Sequence, residues 1–453
     1  MTRLPPPGED GCAAARRGQV VATLPLDTLP AQAHIRLMRT HDADVIIAGA
    51  GMAGSTLALA LASGGLKPLL VDPQPFEAQL APTFDGRSSA IAYSSFRQWR
   101  TIGAGEALAP HAQRIEQILV TDGRTPGAAA RGASPAFLRF DSSEIADRSD
   151  GEPLGYLIEN RQIRAALSQA VTDKAIPVIA PMAAKNLEVD AAGARITLAD
   201  GRVLSAPLAV SAEGRGSVLR KAAGIGDIGW GYGQSGVVAT VKMQRRHEGV
   251  AHEYFLPSGP FAILPLTDNR ASLVWTESTT RAEALRGARP EVFHAHLMRR
   301  FGEFLGDVEI VGPIFVYPLS LSLAERMVAP RLALIGDAAH GVHPIAGQGL
   351  NLGLKDAAAL AEVLIEALRG GEDIGSDVVL ERYARWRRFD TVTNALAFDG
   401  FVRLFSNDNP ILRLARGIGL AAVNRIAPAR RFFMHEAGGA VGDLPRLLRG
   451  QAI

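Results

Sequence analysis

The stretch from Val45 to Asp72 constrains the fold of this chain more than any other segment. A short β-branched run is followed by Gly49, Gly51 and Gly54 in the pattern G-x-G-x-x-G. An apolar helical segment and a second apolar run, which ends on Asp72, come next. Short β-branched runs are typical of buried strands. The sequence therefore predicts a strand–turn–helix–strand unit of a parallel α/β sheet.

Each glycine of this turn has a physical role in binding a dinucleotide. Gly49 allows the tight turn, Gly51 lets the backbone approach a pyrophosphate, and Gly54 lets the helix pack closely on the sheet. The helix begins at Met52 and Ala53, where free N–H groups and the positive end of the helix dipole attract phosphate. We expect these five residues to bind the cofactor.

Asp72 follows Gly49 by 23 residues, close to the spacing at which a carboxylate binds a ribose diol. The strand, the helix, the second strand and the terminal acid are all in place. We therefore expect a dinucleotide site rather than a plain glycine-rich turn. The motif alone does not distinguish FAD from NAD.

Composition excludes several other classes of protein. The 453 residues exceed one compact core, so two domains or one elaborated domain are expected, and the net charge of +2 gives no reason to expect nucleic acid. Cys12 is the one cysteine, which fits a reducing compartment and leaves no cysteine-based metal cluster. No apolar stretch of about 18 residues predicts a transmembrane helix, and the first residues lack a secretory signal. We expect a cytoplasmic protein.

A second glycine turn follows a buried strand late in the chain. The apolar run Leu332–Ile335 leads into an acid, and a later glycine turn opens a long apolar helix. A strand, an acid at its tip and a helix N-terminus form a second cradle for a cofactor. The residues of this segment expected to bind the cofactor are Gly336, Asp337, Pro344, Gly347, Gln348, Gly349, Leu350 and Asn351.

Four further residues are candidates for cofactor contact. Arg87 lies on a loop after the first βαβ unit, and Arg161 lies at the start of a predicted helix. Each could reach a phosphate or a flavin, or could be a solvated surface arginine. Glu213 and Gly214 follow a third apolar strand, and no third glycine completes a second dinucleotide fingerprint there.

The region from Ile225 to Phe315 has a different sequence pattern from the βαβ unit at the start of the chain. Alternating, strand-rich segments dominate it, with one helical stretch at 291–304. We interpret it as a second, mostly antiparallel domain.

Three stretches together, Gly49–Gly54, Glu213–Arg220 and Gly336–Asp356, resemble the FAD-dependent aromatic hydroxylases of the para-hydroxybenzoate hydroxylase fold. The amino-acid sequence of the last stretch, Gly336–Asp356, is most similar to that of the ubiquinone-biosynthesis monooxygenases. One departure is that the family usually has Asp-Gly where this chain has Glu213-Gly214. The segments that also agree with this branch are Asp85–Ala92, Leu256–Pro260 and Phe433–Glu436.

The resemblance implies an α/β fold. A Rossmann-like FAD-binding domain is interleaved with a mainly antiparallel β substrate domain and is followed by C-terminal helices. The expected boundaries are 1–41 for a disordered extension, 42–114, 157–222 and 323–390 for the FAD-binding domain, 115–156 and 223–322 for the substrate domain, and 391–453 for the C-terminal helical region.

The resemblance also implies the chemistry. FAD would lie with its pyrophosphate on the first glycine turn, its adenosine ribose on Asp72 and its pyrophosphate–ribityl region on Asp337. The isoalloxazine would lie over residues 344–351. NAD(P)H would reduce the flavin, oxygen would add to give a C4a-hydroperoxide, and a polyprenyl phenol would be hydroxylated in ubiquinone biosynthesis.

No catalytic base can be assigned from the sequence. His340 and His343 lie near the expected flavin position and are weak candidates for proton transfer; they could equally cap or pack the loop. No third ligand nearby predicts a metal site.

The segment from Asn409 to Phe433 has a basic amphipathic pattern, with five arginines among apolar residues. It could lie on a membrane surface, peripheral to the inner membrane, where a polyprenylated substrate dissolves. It could equally pack on the FAD domain or on a partner subunit, in a homo-oligomer or a biosynthetic complex.

Two other functions stay open from the sequence. One is a flavin hydroxylase or epoxidase for another aromatic or terpenoid substrate. The other is a catalytically silent flavin-binding subunit that scaffolds a complex.

Overall fold

The computed structural model describes residues 41–122, 137–144, 151–256, 258–342 and 348–388, and residues 426, 434, 438–439 and 442–453. Nearly all of the expected N-terminal extension and most of the C-terminal helical region, including its basic amphipathic segment, lie outside the described residues. His343, Pro344 and Gly347 lie outside them as well, as does the side chain of Gln348.

The described strands fall into four sheets. In chain order they are β1 (Val45–Ala48), β2 (Pro68–Val71), β3 (Ser88–Ala92), β4 (Gln113–Ile115), β5 (Gln117–Asp122), β6 (Phe137–Asp141), β7 (Gly155–Glu159), β8 (Val178–Ile179), β9 (Ala184–Val189), β10 (Ala194–Leu198), β11 (Val203–Ala206), β12 (Leu208–Ser211), β13 (Asp227–Met243), β14 (Val250–Leu256), β15 (Gly259–Leu266), β16 (Arg270–Ser278), β17 (Val308–Ala324), β18 (Val328–Ala329), β19 (Leu332–Leu334) and β20 (His340–Gly341).

The described α-helices are α1 (Met52–Ser63), α2 (Phe76–Gln79), α3 (Tyr93–Ile102), α4 (Gly105–Leu108), α5 (Asn160–Asp173), α6 (Val218–Ala222), α7 (Thr279–Arg286), α8 (Pro290–Phe301), α9 (Gln348–Arg369) and α10 (377–388). None of the helices in these described ranges is long and apolar enough to span a membrane.

A six-stranded sheet forms the nucleotide-binding part. Its order is β18-β19-β12-β1-β2-β8, and every pair is parallel except β18 with β19. Strand β1 is fully buried because both of its edges are paired and α1 and α9 pack on the sheet. The predicted strand–turn–helix–strand unit is therefore present, and α1 begins at Met52, directly after the glycine turn.

An eight-stranded sheet forms a second part, with the order β20-β17-β13-β16-β15-β14-β5-β6. Its pairs are antiparallel except β14 with β5. One face packs against α7 and α8 through buried aromatic side chains such as Trp275 and Phe293. The other face turns toward the nucleotide-binding part, where Phe315 lies directly against Gly86.

Two three-stranded antiparallel sheets complete the fold, in the orders β11-β10-β9 and β3-β7-β4. The strand β3 within the Asp85–Ala92 segment and the helix α7 were not predicted from the sequence. The segment from His340 to Gly341, which the expected boundaries assign to the FAD-binding domain, pairs with β17 in the eight-stranded sheet. The domain boundaries themselves stay a prediction.

Candidate cofactor and substrate site

The first glycine turn leaves no room for side chains at two of its three glycines. Gly49 has a φ of +105°, and a Cβ there would lie 2.4 Å from the carbonyl oxygen of Ala212. A Cβ on Gly54 would lie 1.9 Å from the carbonyl oxygen of Gly49. The turn can therefore form only with glycine at both positions, because L residues rarely adopt this φ and the clashing atoms are backbone.

Gly51 is different, because a Cβ there would meet no atom within 4 Å. It caps the N-terminus of α1, and no side chain caps this helix. The first-turn N–H groups of Met52, Ala53 and Gly54 thus have no side-chain cap. Open space beside an uncapped helix N-terminus is what a pyrophosphate requires, so these residues fit FAD.

The topology places this space at the expected point in the sheet. Strand β1 lies between β12 and β2. The chain continues from β1 to β2 on one side, and β12, on the other side of β1, comes from a later part of the chain. Ligands of open parallel sheets bind outside the carboxyl ends of the strands at such a switch point. The carboxyl ends of β1, β12 and β19 lead into Gly49, Glu213 and Gly336, and so the three glycine-containing motifs meet at one edge.

Asp72 lies at the same edge, with its carboxylate held by backbone. Its Oδ2 accepts from the N–H of Ala50 at 2.6 Å and its Oδ1 from that of Gln74 at 2.7 Å. Burial raises the pKa of Asp72, and the two backbone hydrogen bonds oppose that rise. Each oxygen keeps a second lone pair, so ribose binding by this residue stays a prediction.

Glu213 caps the short helix α6. Its Oε2 accepts from Ser211 Oγ at 3.0 Å, Ser217 Oγ at 2.8 Å and the N–H of Leu219 at 3.0 Å. The carboxylate of this residue is therefore engaged within the protein. Gly214 has a φ of +76° and open space around its Cβ position.

Asp337 lies on a 3-10 turn, Gly336–Ala338, that follows β19. Its carboxylate is half exposed, and the Nε of Arg215 lies 3.4 Å from its Oδ2. Arg215 also donates to the hydroxyl of Ser320 and to the carbonyl of Val342, at 3.3 Å. One guanidinium thus connects the middle motif, the late glycine segment and the eight-stranded sheet.

A buried charge cluster lies behind this turn. Asp356 Oδ2 lies 2.6 Å from Nε2 of His340 and accepts from the N–H of Gly336 at 3.0 Å, while Oδ1 accepts from Arg387 Nε at 2.8 Å. His340 and Asp356 have no exposed surface. The arrangement favours the packing interpretation of His340 over proton transfer to a substrate; its candidacy as a catalytic residue stays untested.

The pKa values in this cluster move apart. Burial would raise the pKa of Asp356, but the charges of His340 and Arg387 and their hydrogen bonds lower it to about 2. Burial would lower the pKa of His340, but the Asp356 carboxylate raises it overall. The cluster is therefore a charged pair with an additional arginine.

Asp85 gathers a second cluster where the two large sheets approach each other. Its carboxylate accepts from Arg87 Nε at 2.8 Å, from Asn160 Nδ2 at 3.0 Å, from a terminal nitrogen of Arg164 at 2.8 Å and from the hydroxyl of Tyr317 at 3.4 Å. Burial opposes ionisation, but these donors hold the pKa of Asp85 well below its usual range.

The predicted arginines behave differently from each other. Arg87 is half exposed, is paired with Asp85 and stacks over Tyr317, with 4.8 Å from its guanidinium carbon to the ring centre. Arg161 is exposed, whereas Arg164, three residues later on the same helix, points inward. Cofactor contact by Arg87 and Arg161 stays a prediction.

The helix α9 opens the second cradle as predicted, with Gly349 and Leu350 in its first turn. Asn351 joins this turn to β3, since its Oδ1 accepts from the N–H of Ala92 at 2.9 Å and its Nδ2 donates to the carbonyl of Ala90 at 2.8 Å. Asn351 thus positions the helix start.

Sequence reasoning missed the partners that hold these motifs. Asp85, Asp356, Arg387 and Arg215 were not singled out, because most of their partners lie far away in the chain. Asp85 itself was the one available signal. It lies in a loop between Pro82 and Arg87, and a carboxylate that is buried in a loop needs hydrogen-bond or charged partners.

Comparison with known proteins agrees with this geometry. A family model described as "FAD binding domain" matches residues 42–396. The ubiquinone hydroxylase UbiL of Rhodospirillum rubrum is 45% identical over 90% of this chain and 93% of its own length. The 3-demethoxyubiquinol 3-hydroxylase of Escherichia coli is 34% identical over 89% of this chain and 100% of its own. The ubiquinone biosynthesis monooxygenase COQ6 of Homo sapiens is 33% identical over 86% and 91%.

Among solved structures, p-nitrophenol 4-monooxygenase PnpA from Pseudomonas putida superposes with a TM-score of 0.72 at 16% identity, over 88% of this chain and 99% of that one. This likeness confirms the expected fold class. The site and fold together define a flavin-dependent monooxygenase. The chain belongs to the FAD-binding family and, within it, to the hydroxylases of ubiquinone biosynthesis.

Proposed function

We propose that this protein hydroxylates the aromatic ring of a polyprenyl phenol in ubiquinone biosynthesis, with FAD as the cofactor, NAD(P)H as the reductant and oxygen as the second substrate. The observation that carries the proposal is the pair of glycine cradles at one edge of the parallel sheet. Two relatives named as ubiquinone hydroxylases are 45% and 34% identical to this chain over 90% and 89% of its length, which supports the proposal.

The chain's residues have distinct tasks in this proposal. The first turn of α1 holds the pyrophosphate through its N–H groups, and Asp337 accepts from hydroxyl groups of the ribityl chain. The first turn of α9 places a positive dipole end near the flavin, where it stabilises negative charge of the reduced ring. When bound and reduced, FAD converts oxygen into the species that hydroxylates the ring.

The eight-stranded sheet supplies the other wall. Its face toward the nucleotide-binding part is mainly apolar, with Phe315 packed on Gly86. An apolar wall suits a prenylated ring and excludes water, which would otherwise compete with the substrate.

The experiment is to delete the gene and analyse the quinone extract by mass spectrometry. We expect a polyprenyl phenol that lacks one hydroxyl group to accumulate, and its structure names the ring position. Complementation with the natural gene should restore ubiquinone. The variant Gly51→Ala, whose side chain enters the pyrophosphate space, should fail to restore it.

Unchanged ubiquinone with no such intermediate would contradict the proposal. Purified protein then separates the alternatives. NAD(P)H consumption with a soluble phenol would indicate the hydroxylase for another substrate. FAD binding without any NAD(P)H consumption would indicate the silent scaffold.

We further propose that the basic segment within 409–433 contacts the membrane surface that holds the substrate. Five arginines among apolar residues support this. Co-sedimentation with anionic vesicles at low salt tests it, with neutral vesicles as the control. Equal recovery in the supernatant from both would contradict it and favour packing on a partner subunit.

A further inference from the structure

One carboxylate lies in the apolar face of the eight-stranded sheet. The register places Glu253 of β14 opposite Ala262 of β15 and Val120 of β5. The same row continues through Val274 of β16 to Val238 of β13. Phe315 of β17 and Leu138 of β6 end the row. Glu253 is the one charged residue among these seven.

This row faces the nucleotide-binding part. Phe315 at one end packs on Gly86 of the Asp85–Ala92 segment. Side chains alternate between the faces of a strand, so the neighbours Ile263 and Trp275 point the other way, into the core against α8. Glu253 is therefore on the side of the sheet where the flavin and the substrate are expected.

The centre of the row borders free space. Val274, Ala262 and Glu253 lie side by side on three adjacent strands, and each keeps accessible surface, whereas Trp275 and Ile263 on the opposite face keep almost none. Glu253 is half-buried, and the surrounding protein desolvates its carboxylate.

Glu253 has no hydrogen-bond or ion-pair partner among the described residues. Burial is the sole cause that raises its pKa, to about 7, and no titratable group of β4, β5, β7 or β15 contributes. An unpaired carboxylate in an apolar wall is destabilising, so such a group in a cleft is typical of functional sites.

We propose that Glu253 is a catalytic residue that accepts the proton of the substrate's phenolic hydroxyl group. The inference rests on the proposed function, because it requires a phenol in this space. The carboxylate binds the hydroxyl group, and its half-buried neighbours Ala262 and Val274 contact the ring.

The phenolic O–H bond breaks, the proton passes to a carboxylate oxygen of Glu253, and the electron pair stays on the phenolic oxygen, which enriches the ring in electrons. After the hydroxyl group is transferred to a ring carbon, that carbon loses its hydrogen as a proton to water. The carboxylic acid then returns its proton to the phenolic oxygen. A carboxylate of raised pKa is closer to the pKa of a phenol, about 10, which makes it a better base.

The test uses the FAD-loaded protein with NAD(P)H, oxygen and a 2-prenylphenol that carries a short isoprenoid chain. We expect Glu253→Gln to lower the rate of product formation about 100-fold, within the usual range for loss of a general base. The rate of the natural protein should fall as the pH drops below about 7, and Glu253→Gln should lose this dependence. Glu253→Asp should recover part of the rate.

Folding is checked by FAD content and thermal unfolding. Removal of an unpaired carboxylate from an apolar wall should leave the melting temperature of Glu253→Gln and Glu253→Leu unchanged or raised, which a purely structural glutamate would not do. The matched control is Glu309→Gln, an exposed carboxylate on β17 of the same sheet, which should keep the natural rate and pH profile.

Two outcomes are distinguishable. A natural rate and pH profile in Glu253→Gln would overturn the role of Glu253 and leave the proposed function intact. FAD-loaded natural protein that neither binds nor hydroxylates 2-prenylphenols of any tested ring pattern would overturn the proposed function, and the role of Glu253 with it.

Discussion

The Oδ2 of Asp356 lies 2.6 Å from the Nε2 of His340, and neither side chain has any exposed surface. The same oxygen accepts from the N–H of Gly336, at the start of the turn that carries Asp337. A buried ion pair between α9 and β20 thus holds the backbone of the Gly336–Ala338 turn, where cofactor binding is expected. Residues outside this turn therefore stabilise its geometry.

Replacement of this acid should damage both stability and cofactor binding. Asp356→Asn removes the charge that His340 and Arg387 share, and loss of one partner of a buried pair costs about 3–5 kcal/mol. We expect a lower melting temperature and weaker FAD retention on desalting. Glu366→Gln, at an exposed position of the same helix, is the control. An unchanged melting temperature in Asp356→Asn would show that the pair contributes nothing.

The pair also predicts a pH dependence of stability. His340 has a raised folded pKa, so its contribution is complete below the unfolded value of 6.5 and is lost as the pH rises through the folded value. Asp356 has a lowered folded pKa, so its contribution is present above 3.8 and is lost as the pH falls toward about 2.

Both contributions coincide between pH 4 and pH 6.5, by these values. We expect melting temperatures measured across pH 4 to 9 to decline above this range, and His340→Gln to flatten the decline. A decline of equal slope in His340→Gln would assign it to other groups.

The three glycines of the first turn should fail in different ways. A Cβ on Gly54 collides with backbone, so Gly54→Ala should lower the melting temperature of the protein. A Cβ on Gly51 meets open space, so Gly51→Ala should fold normally yet bind FAD at least 10-fold more weakly, because the methyl group enters the pyrophosphate space.

Thermal unfolding of FAD-free protein and fluorescence titration with FAD measure the two effects separately. Gly231→Ala on β13, where a Cβ also meets no atom within 4 Å, is the control and should change neither. Natural FAD affinity in Gly51→Ala would place the pyrophosphate elsewhere.

Glu213 should act as a helix cap. Glu213→Ala leaves the Leu219 N–H without its acceptor and removes one partner of Ser217 Oγ, which should lower stability by about 1–3 kcal/mol. Glu213→Gln keeps an acceptor oxygen and should lose less. Urea unfolding of the natural protein and of the three variants Glu213→Ala, Glu213→Gln and Glu213→Asp measures the difference. If Glu213→Asp matches the natural protein, the additional methylene has no use.

The sequence predicted what is local. The glycines at positions 49 and 54 are sufficient to predict the turn between them. The helix α9 was predicted from its apolar pattern and from the glycine turn before it. The partners of these motifs are distant in the chain, since Asp85 meets Tyr317 across 232 residues. No periodicity in one segment contains such a contact.

Glu253 illustrates a second reason why the sequence alone did not predict the whole site. The region that contains β14 was predicted to be rich in strands, but a strand prediction alone does not say which face is the core and which is the site. That assignment needs the pairing of β14 with β5 and β15, and the helices that cover one face only. The alternation of side chains along a strand identifies the residues of the site only when the neighbouring strands and helices are known.

Strand β17 is 17 residues long and pairs through Leu323 with His340. This one strand therefore connects the expected wall of the substrate space to the segment that follows the Gly336–Ala338 turn. A single inserted residue would advance the chain by about 3.3 Å and turn every later side chain to the opposite face. Variants of this enzyme with other ring preferences should thus arise by exchange of side chains on the wall, while the length of this strand stays constant.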